Sequence, residues 1–280
     1  MTSWIPSLKK GYMFGGVFNA QTSTSYDETY EHGGLITYDG ATNSWTNTST
    51  PVGPINEGGM VHLTTATDEI LIQFGGRTAE ATVVVCNPGG QFRVPSLFYR
   101  MGSDSYLGQV PLSDIYIYST KQSKWFTHSL SNSATVPTPR YAFCTVVKSA
   151  PDGSSHQIYM FSGIEANPSR SNMMDGPTVT SVWVLNIPTF EWIQLSIRSS
   201  SAKADPKGRI TPSCATIGEH YVFSYGGRSS DSYSGNIGCD KNANVAFLFD
   251  LNTLTWTDQF VPNEGTYEVP REVFEAIGGR

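Results

Sequence analysis

Short stretches in which apolar and polar residues alternate recur along the chain, and each ends on glycine. They read "KGYMFGGV" (Lys10–Val17), "EILIQFGGR" (Glu69–Arg77), "QIYMFSGI" (Gln157–Ile164) and "HYVFSYGGR" (His220–Arg228). Alternation with a period of two is the mark of a β-strand with unlike faces. The terminal glycines, Gly15 and Gly16, Gly75 and Gly76, Gly163 alone, and Gly226 and Gly227, provide a left-handed turn and a close backbone approach.

A second spacing accompanies the first. From the last glycine of each phrase to the next tryptophan is 29 residues for Gly16 to Trp45, Gly163 to Trp192 and Gly227 to Trp256. Gly76 to Trp125 is 49, the same unit with 20 extra residues. Seven residues before each tryptophan stands a large apolar residue: Tyr38, Tyr118, Leu185 and Phe249. Agreement at two independent spacings marks an internal repeat.

Each unit reads as short strands. "DIYIYS" and "VAFLFD" alternate, the tryptophans open "KWFTHSL", "EWIQLSI" and "TWTDQF", and "RYAFCTVVKS", "RITPSCATIG" and "EGGMVHLTTA" precede the glycines. "DGATNS", "STKQS", "NIPTF" and "DLNTL" are the turns between them. Sustained helical periodicity is nearly absent. Four strands per unit, repeated, predicts an all-β chain made of propeller blades. In such a ring glycine makes room near the channel, and tryptophan packs between neighbouring sheets.

The glycine pair, the aromatic residue and the tryptophan seven residues on, as in "FGG…YDGATNSW" and "YGG…FDLNTLTW", resemble the kelch repeat, and the match runs from Gly11 to Gly279. "PLSDIYIYSTKQSKW", "KSAPDGSSHQIYMFSG", "VWVLNIPTFEW" and "YEVPREVFEAIGG" more narrowly resemble kelch proteins of filamentous fungi. That resemblance implies a secreted or cell-surface protein, often with a membrane span after the propeller. It also implies the architecture of the central domain of galactose oxidase.

On this reading residues 1–280 are one kelch propeller domain. A partial unit at 10–50 is followed by units at 54–132, 137–198 and 208–262 and a final strand at 269–279. That strand closes a four-bladed ring or, the preferred reading, the chain is part of a six- or seven-bladed one. The 20 extra residues fall within 78–110, where "TVVVCNPGGQFRVPSLFYRMGSDSYLG" breaks the pattern. They are a functional loop or a translated intron, and the intron reading predicts a poorly packed segment.

Composition narrows the function. Charged residues are 15% of the chain, the net charge is -6 and the isoelectric point is near 5.3. No basic footprint for nucleic acid follows from that balance. No apolar run approaches the length of a membrane span, and "MTSWIPSLKK" lacks the apolar core of a signal peptide. Cys86, Cys144, Cys214 and Cys239 form no CxxC pair, and their pairing cannot be read from the sequence.

Catalytic chemistry is poorly served. Galactose oxidase implies two Tyr and two His around copper, with a Cys joined to one Tyr. Here His32, His62, His128, His156 and His220 are each isolated. Asp27, Glu28, Glu31 and His32 crowd one loop, which reads as a solvated acidic segment, and Met173–Pro177 reads as a turn. No cofactor or metal is expected. One recurring set stands out: Arg140 in "TPRYAFC" and Arg271 in "VPREVFEA" align, with Arg209 close to the same place. Arg77 and Arg228, directly after glycine pairs, form a second set. Either set forms an arc that holds an acidic partner, or each arginine caps loop carbonyls.

The expectation is a non-catalytic module that binds a protein or glycan through its loop faces. The alternatives are an oxidase-like enzyme and an intracellular kelch adaptor. Glycosylation at Asn47, in the sequon Asn47-Thr48-Ser49, counts against the adaptor.

Overall fold

The computed structural model describes residues 1–18, 30–78, 82–83, 98–100, 108–131, 135–165, 179–228, 244–262 and 265–278. Cys86, Cys239, Asp27, Glu28, Met173–Pro177 and most of the insertion within 78–110 lie outside them. The chain divides into two compact units, Met1–His128 and Ser129–Arg280.

Among the described residues the first unit carries three four-stranded antiparallel sheets, two of them built from the repeated strands. One is formed in order by Thr2–Ile5, Lys10–Phe14, Gly34–Asp39 and Ser44–Ser49. The other is formed by Gly59–Thr64, Glu69–Phe74, Asp114–Ser119 and Lys124–Ser129. The second unit repeats the pattern with Cys144–Ser149, His156–Phe161, Trp183–Ile187 and Glu191–Gln194. Its other sheet has Ser213–Ile217, Tyr221–Tyr225, Ala246–Asp250 and Thr255–Thr257, with Arg198–Ser199 added in parallel at its edge. These four sheets, first to fourth in chain order, are the blades of an all-β kelch propeller fold.

The spacing of seven before each tryptophan is a hairpin register. Tyr38 faces Trp45, Leu185 faces Trp192 and Phe249 faces Trp256 across paired strands. Two residues before each tryptophan the turn closes on a left-handed residue: Asn43, Ser123, Phe190 and Leu254, with φ of 52°, 51°, 57° and 53°.

Aromatic packing joins consecutive sheets inside each unit. Phe14 lies 5.4 Å from Trp125, and Tyr12 lies 6.1 Å from Tyr118, between ring centres. Phe161 meets Phe249 at 5.3 Å and Trp256 at 5.7 Å. Trp192 is also buried, whereas Trp45 is 65% exposed. Cys144 and Cys214 form a disulfide between the first strands of the third and fourth sheets.

Two expectations are corrected. The first sheet is complete, because Thr2–Ile5 pairs with Lys10–Phe14 and is not a lead into a partial unit at 10–50. Ile5 is fully buried, and the chain reverses through a 3-10 turn at Pro6–Leu8 and a left-handed Lys9. The expected strand at 269–279 is instead a helix, Arg271–Ala276. Glu and Ala favour helix, Arg271 pairs with Glu275 one turn on, and Val273 drops into the core of the unit.

The described parts of the insertion are paired. Thr82–Val83 pairs with Phe98–Arg100, which pairs in turn with Tyr30–His32.

Candidate functional site

Each of the four repeated sheets has two unlike ends. At one end its strands are joined by short turns such as 40–43, 120–123, 188–190 and 251–254. At the other, the second strand stops at its glycines and a long connection runs to the third: 15–33, 75–113, 162–182 and 226–245. Loop-borne recognition belongs at this end.

Main-chain bonds fix that end. After the last glycine the chain turns back and pairs with the segment leading into the first strand, giving Asn56 with Arg77, Tyr141 with Ile164 and Ile210 with Arg228. The next residue of each lead-in, Glu57, Ala142 or Thr211, is left-handed, with φ of 56°, 57° and 54°. A Cβ on Gly76, Gly163 or Gly227 would sit 2.6, 2.7 or 2.6 Å from the carbonyl oxygen of Asn56, Tyr141 or Ile210. All three also have positive φ. Glycine is therefore required twice, by torsion and by contact.

Consecutive sheets are stitched at the same place. The Gly16 N–H donates to Asn56 Oδ1 at 2.9 Å. The Gly163 N–H donates to the Arg209 carbonyl at 2.9 Å, and the Thr211 N–H to the Ala142 carbonyl at 2.8 Å. Asn56 escaped notice in the sequence, where a single Asn in a loop gives no signal.

Arg140 and Arg209 share one backbone position, two residues before the left-handed one; Ile55 fills it in the second sheet. Arg140 is fully buried. It donates to the carbonyls of Ser162 (3.3 Å) and Ser181 (3.2 Å), to Ser181 Oγ (3.1 Å) and to Glu165 Oε1 (3.2 Å). Burial pulls its pKa down to about 10, against the opposing pull of Glu165. Arg209, equally buried, donates to the carbonyls of Gly226 (2.6 Å) and Gly227 (2.9 Å), with its guanidinium 5.3 Å from the centre of the Phe247 ring. Both arginines tie down the glycine end of their own sheets.

The other arginines are placed differently. Arg77 pairs with Glu57 at 2.7 Å, and Arg228 is half-buried. Arg271 is on the helix, exposed and 2.7 Å from Glu275 Oε1, so its alignment with Arg140 does not carry into the structure. The sequence similarity there reflects a shared Pro-Arg dipeptide and not a shared conformation.

The histidines stay apart. His62 pairs with Glu69 at 2.6 Å, His156 with Ser149 at 2.8 Å, and His220 lies 3.7 Å from Asp250. Among the described residues, no three His, Cys, Asp or Glu side chains come together as a metal site, and no helix is long and apolar enough to cross a membrane.

Blades of this register, closed by glycine pairs and hairpin tryptophans, are those of a kelch-type propeller fold. A curated kelch repeat-containing protein of the fungus Arthroderma benhamiae is similar to it, at 25% identity over an alignment of 313 positions. The alignment takes in 98% of this chain and 42% of that protein, so the chain spans about two fifths of the relative's length. The fungal resemblance fits that source. No family model matches the chain.

Proposed function

We propose that the chain is a non-catalytic recognition module of a fungal secreted or surface protein, binding a protein or glycan partner through the long connections at the glycine ends. The observation that carries this reading is the contrast between ends. Near-identical hairpins at one end hold the scaffold constant, while the connections at the other differ in length and composition. Arg140 and Arg209 serve it as struts that hold carbonyls in place, and Arg77 and Arg228 flank the connections themselves.

The Cys144–Cys214 disulfide favours the outside of the cell over the intracellular adaptor, since such bridges persist in oxidising compartments. The test is chemical cross-linking of the chain to a fungal wall and membrane extract. It is repeated with a variant in which 166–178 and 229–243 are replaced by short Gly-Ser linkers. The reading expects cross-linked partners that the folded variant no longer captures; capture unchanged in the variant overturns it.

A further inference from the structure

The opposite end of the third sheet, away from the long connections, carries a cavity of about 570 Å3, within the range of small-ligand sites. Its wall comes from the turn at 150–155, the turn at 188–190 and the segment around the helix Arg271–Ala276. Asp152, Ser155, Thr189, Glu268 and Phe274 line it, and no lysine or arginine does.

A buried chain of hydrogen bonds runs from the core to this wall. Tyr159, Gln157 and Asn186 are fully buried and Tyr267 nearly so. The Tyr267 hydroxyl donates to Gln157 Oε1 at 3.2 Å, which leaves Tyr159 as donor in the 2.7 Å contact between the two phenols. Burial raises the pKa of both phenols, so each keeps its proton. Gln157 Nε2 then donates to Ser155 Oγ at 2.8 Å and to Asn186 Oδ1 at 2.9 Å. Asn186 Nδ2 passes the direction on to Thr189 Oγ1 at 3.0 Å.

Donation runs in one sense along this series and ends on Ser155 and Thr189. Ser155 and Thr189 each accept the last bond of the series, so each retains its own O–H for something else. Around them stand acceptors. Asp152 uses Oδ1 for the Ser154 backbone and hydroxyl, leaving Oδ2, and the carboxylate of Glu268 lies on an exposed residue. Phe274 offers a ring that is 43% exposed.

We propose that this cavity binds a neutral saccharide. A sugar hydroxyl both accepts and donates, which matches fixed O–H donors beside carboxylate acceptors. The apolar face of a pyranose matches the Phe274 ring. Two carboxylates with no basic side chain in the lining disfavour an anionic ligand. The core network holds the donors in position before binding, which lowers the ordering cost.

The experiment is saturation-transfer NMR on the full chain with cellobiose, N,N′-diacetylchitobiose and α-1,2-mannobiose, and with N-acetylneuraminic acid as the anionic comparison. At least one neutral disaccharide is expected to receive saturation at its ring C–H protons. Its dissociation constant is expected to rise roughly tenfold in Thr189→Val and in Phe274→Ala. Circular dichroism melts confirm that the variants fold, and Ser155→Ala replaces Thr189→Val if that variant does not. No transfer to any neutral probe, or equal binding of the anionic sugar, overturns the proposal. Sugar binding that survives both substitutions overturns it too, while leaving recognition by the long connections untouched.

Discussion

Trp256 stands edge-on to Phe161, 5.7 Å between ring centres, so that the last strand of the fourth sheet closes over the second strand of the third. Trp45 has the same hairpin register against Tyr38 but is 65% exposed. One motif residue thus has two energetic roles. Trp256→Ala is expected to cost about 3–5 kcal/mol, the range for a buried aromatic. Trp45→Ala is expected to stay within ~1 kcal/mol. Urea unfolding of the two variants checks the contrast, and equal losses would sink it.

The two glycines of one pair are expected to differ as sharply. Gly226 has φ of 69° and nothing within 4 Å of the methyl that alanine would place there, whereas Gly227 at 68° faces the Ile210 carbonyl at 2.6 Å. Gly226→Ala carries only the torsional cost, ~1–2 kcal/mol. Gly227→Ala adds a clash with main chain, about 1–3 kcal/mol more. Thermal melts of both variants give the comparison.

Removing the Cys144–Cys214 bridge is expected to lower stability by roughly 2–5 kcal/mol, since it closes a 70-residue separation. The wild-type melting temperature should fall when reductant is added, and that of a Cys144→Ala, Cys214→Ala double variant should not. A wild-type chain indifferent to reductant would count against the bridge.

Acid sensitivity follows from buried imidazole. Burial lowers the pKa of His32 from 6.5, and that of His156 in the same direction. The unfolded chain therefore binds protons first as pH falls through 6.5, and the folded state loses stability from there down to the lowered native values. Below 4.5, Glu69 adds a second loss, because bonds from Ser7 first and also His62 hold its pKa down. His32→Gln should flatten part of the upper slope. Urea midpoints at pH 7.5 and pH 5 measure it, and an unchanged slope would exclude His32 as a cause.

The blades were legible because their signals are local. Glycine stops and a hairpin register lie within one or two strands, where alternation speaks for itself. Thr2–Ile5 was missed because four residues before a proline are too few to alternate. The helix Arg271–Ala276 was missed because "PRE" looks like "PRY", and what decides between strand and helix there is the burial of Val273. Burial also decides the arginines: nothing in "TPRYAFC" says that the guanidinium of Arg140 points at Ser162 and Ser181. The Tyr267–Gln157 bond joins residues 110 apart in sequence, beyond the reach of any spacing.

The bond from the Gly163 N–H to the Arg209 carbonyl uses main-chain atoms alone. Such a joint is indifferent to which side chain Arg209 carries, provided that glycine keeps the approach open. Evolutionary drift can then replace most residues around it without undoing the seam. A relative that shares one residue in four with this chain can keep the same joinery, and a new connection can be tried on it without rebuilding the blades that carry it.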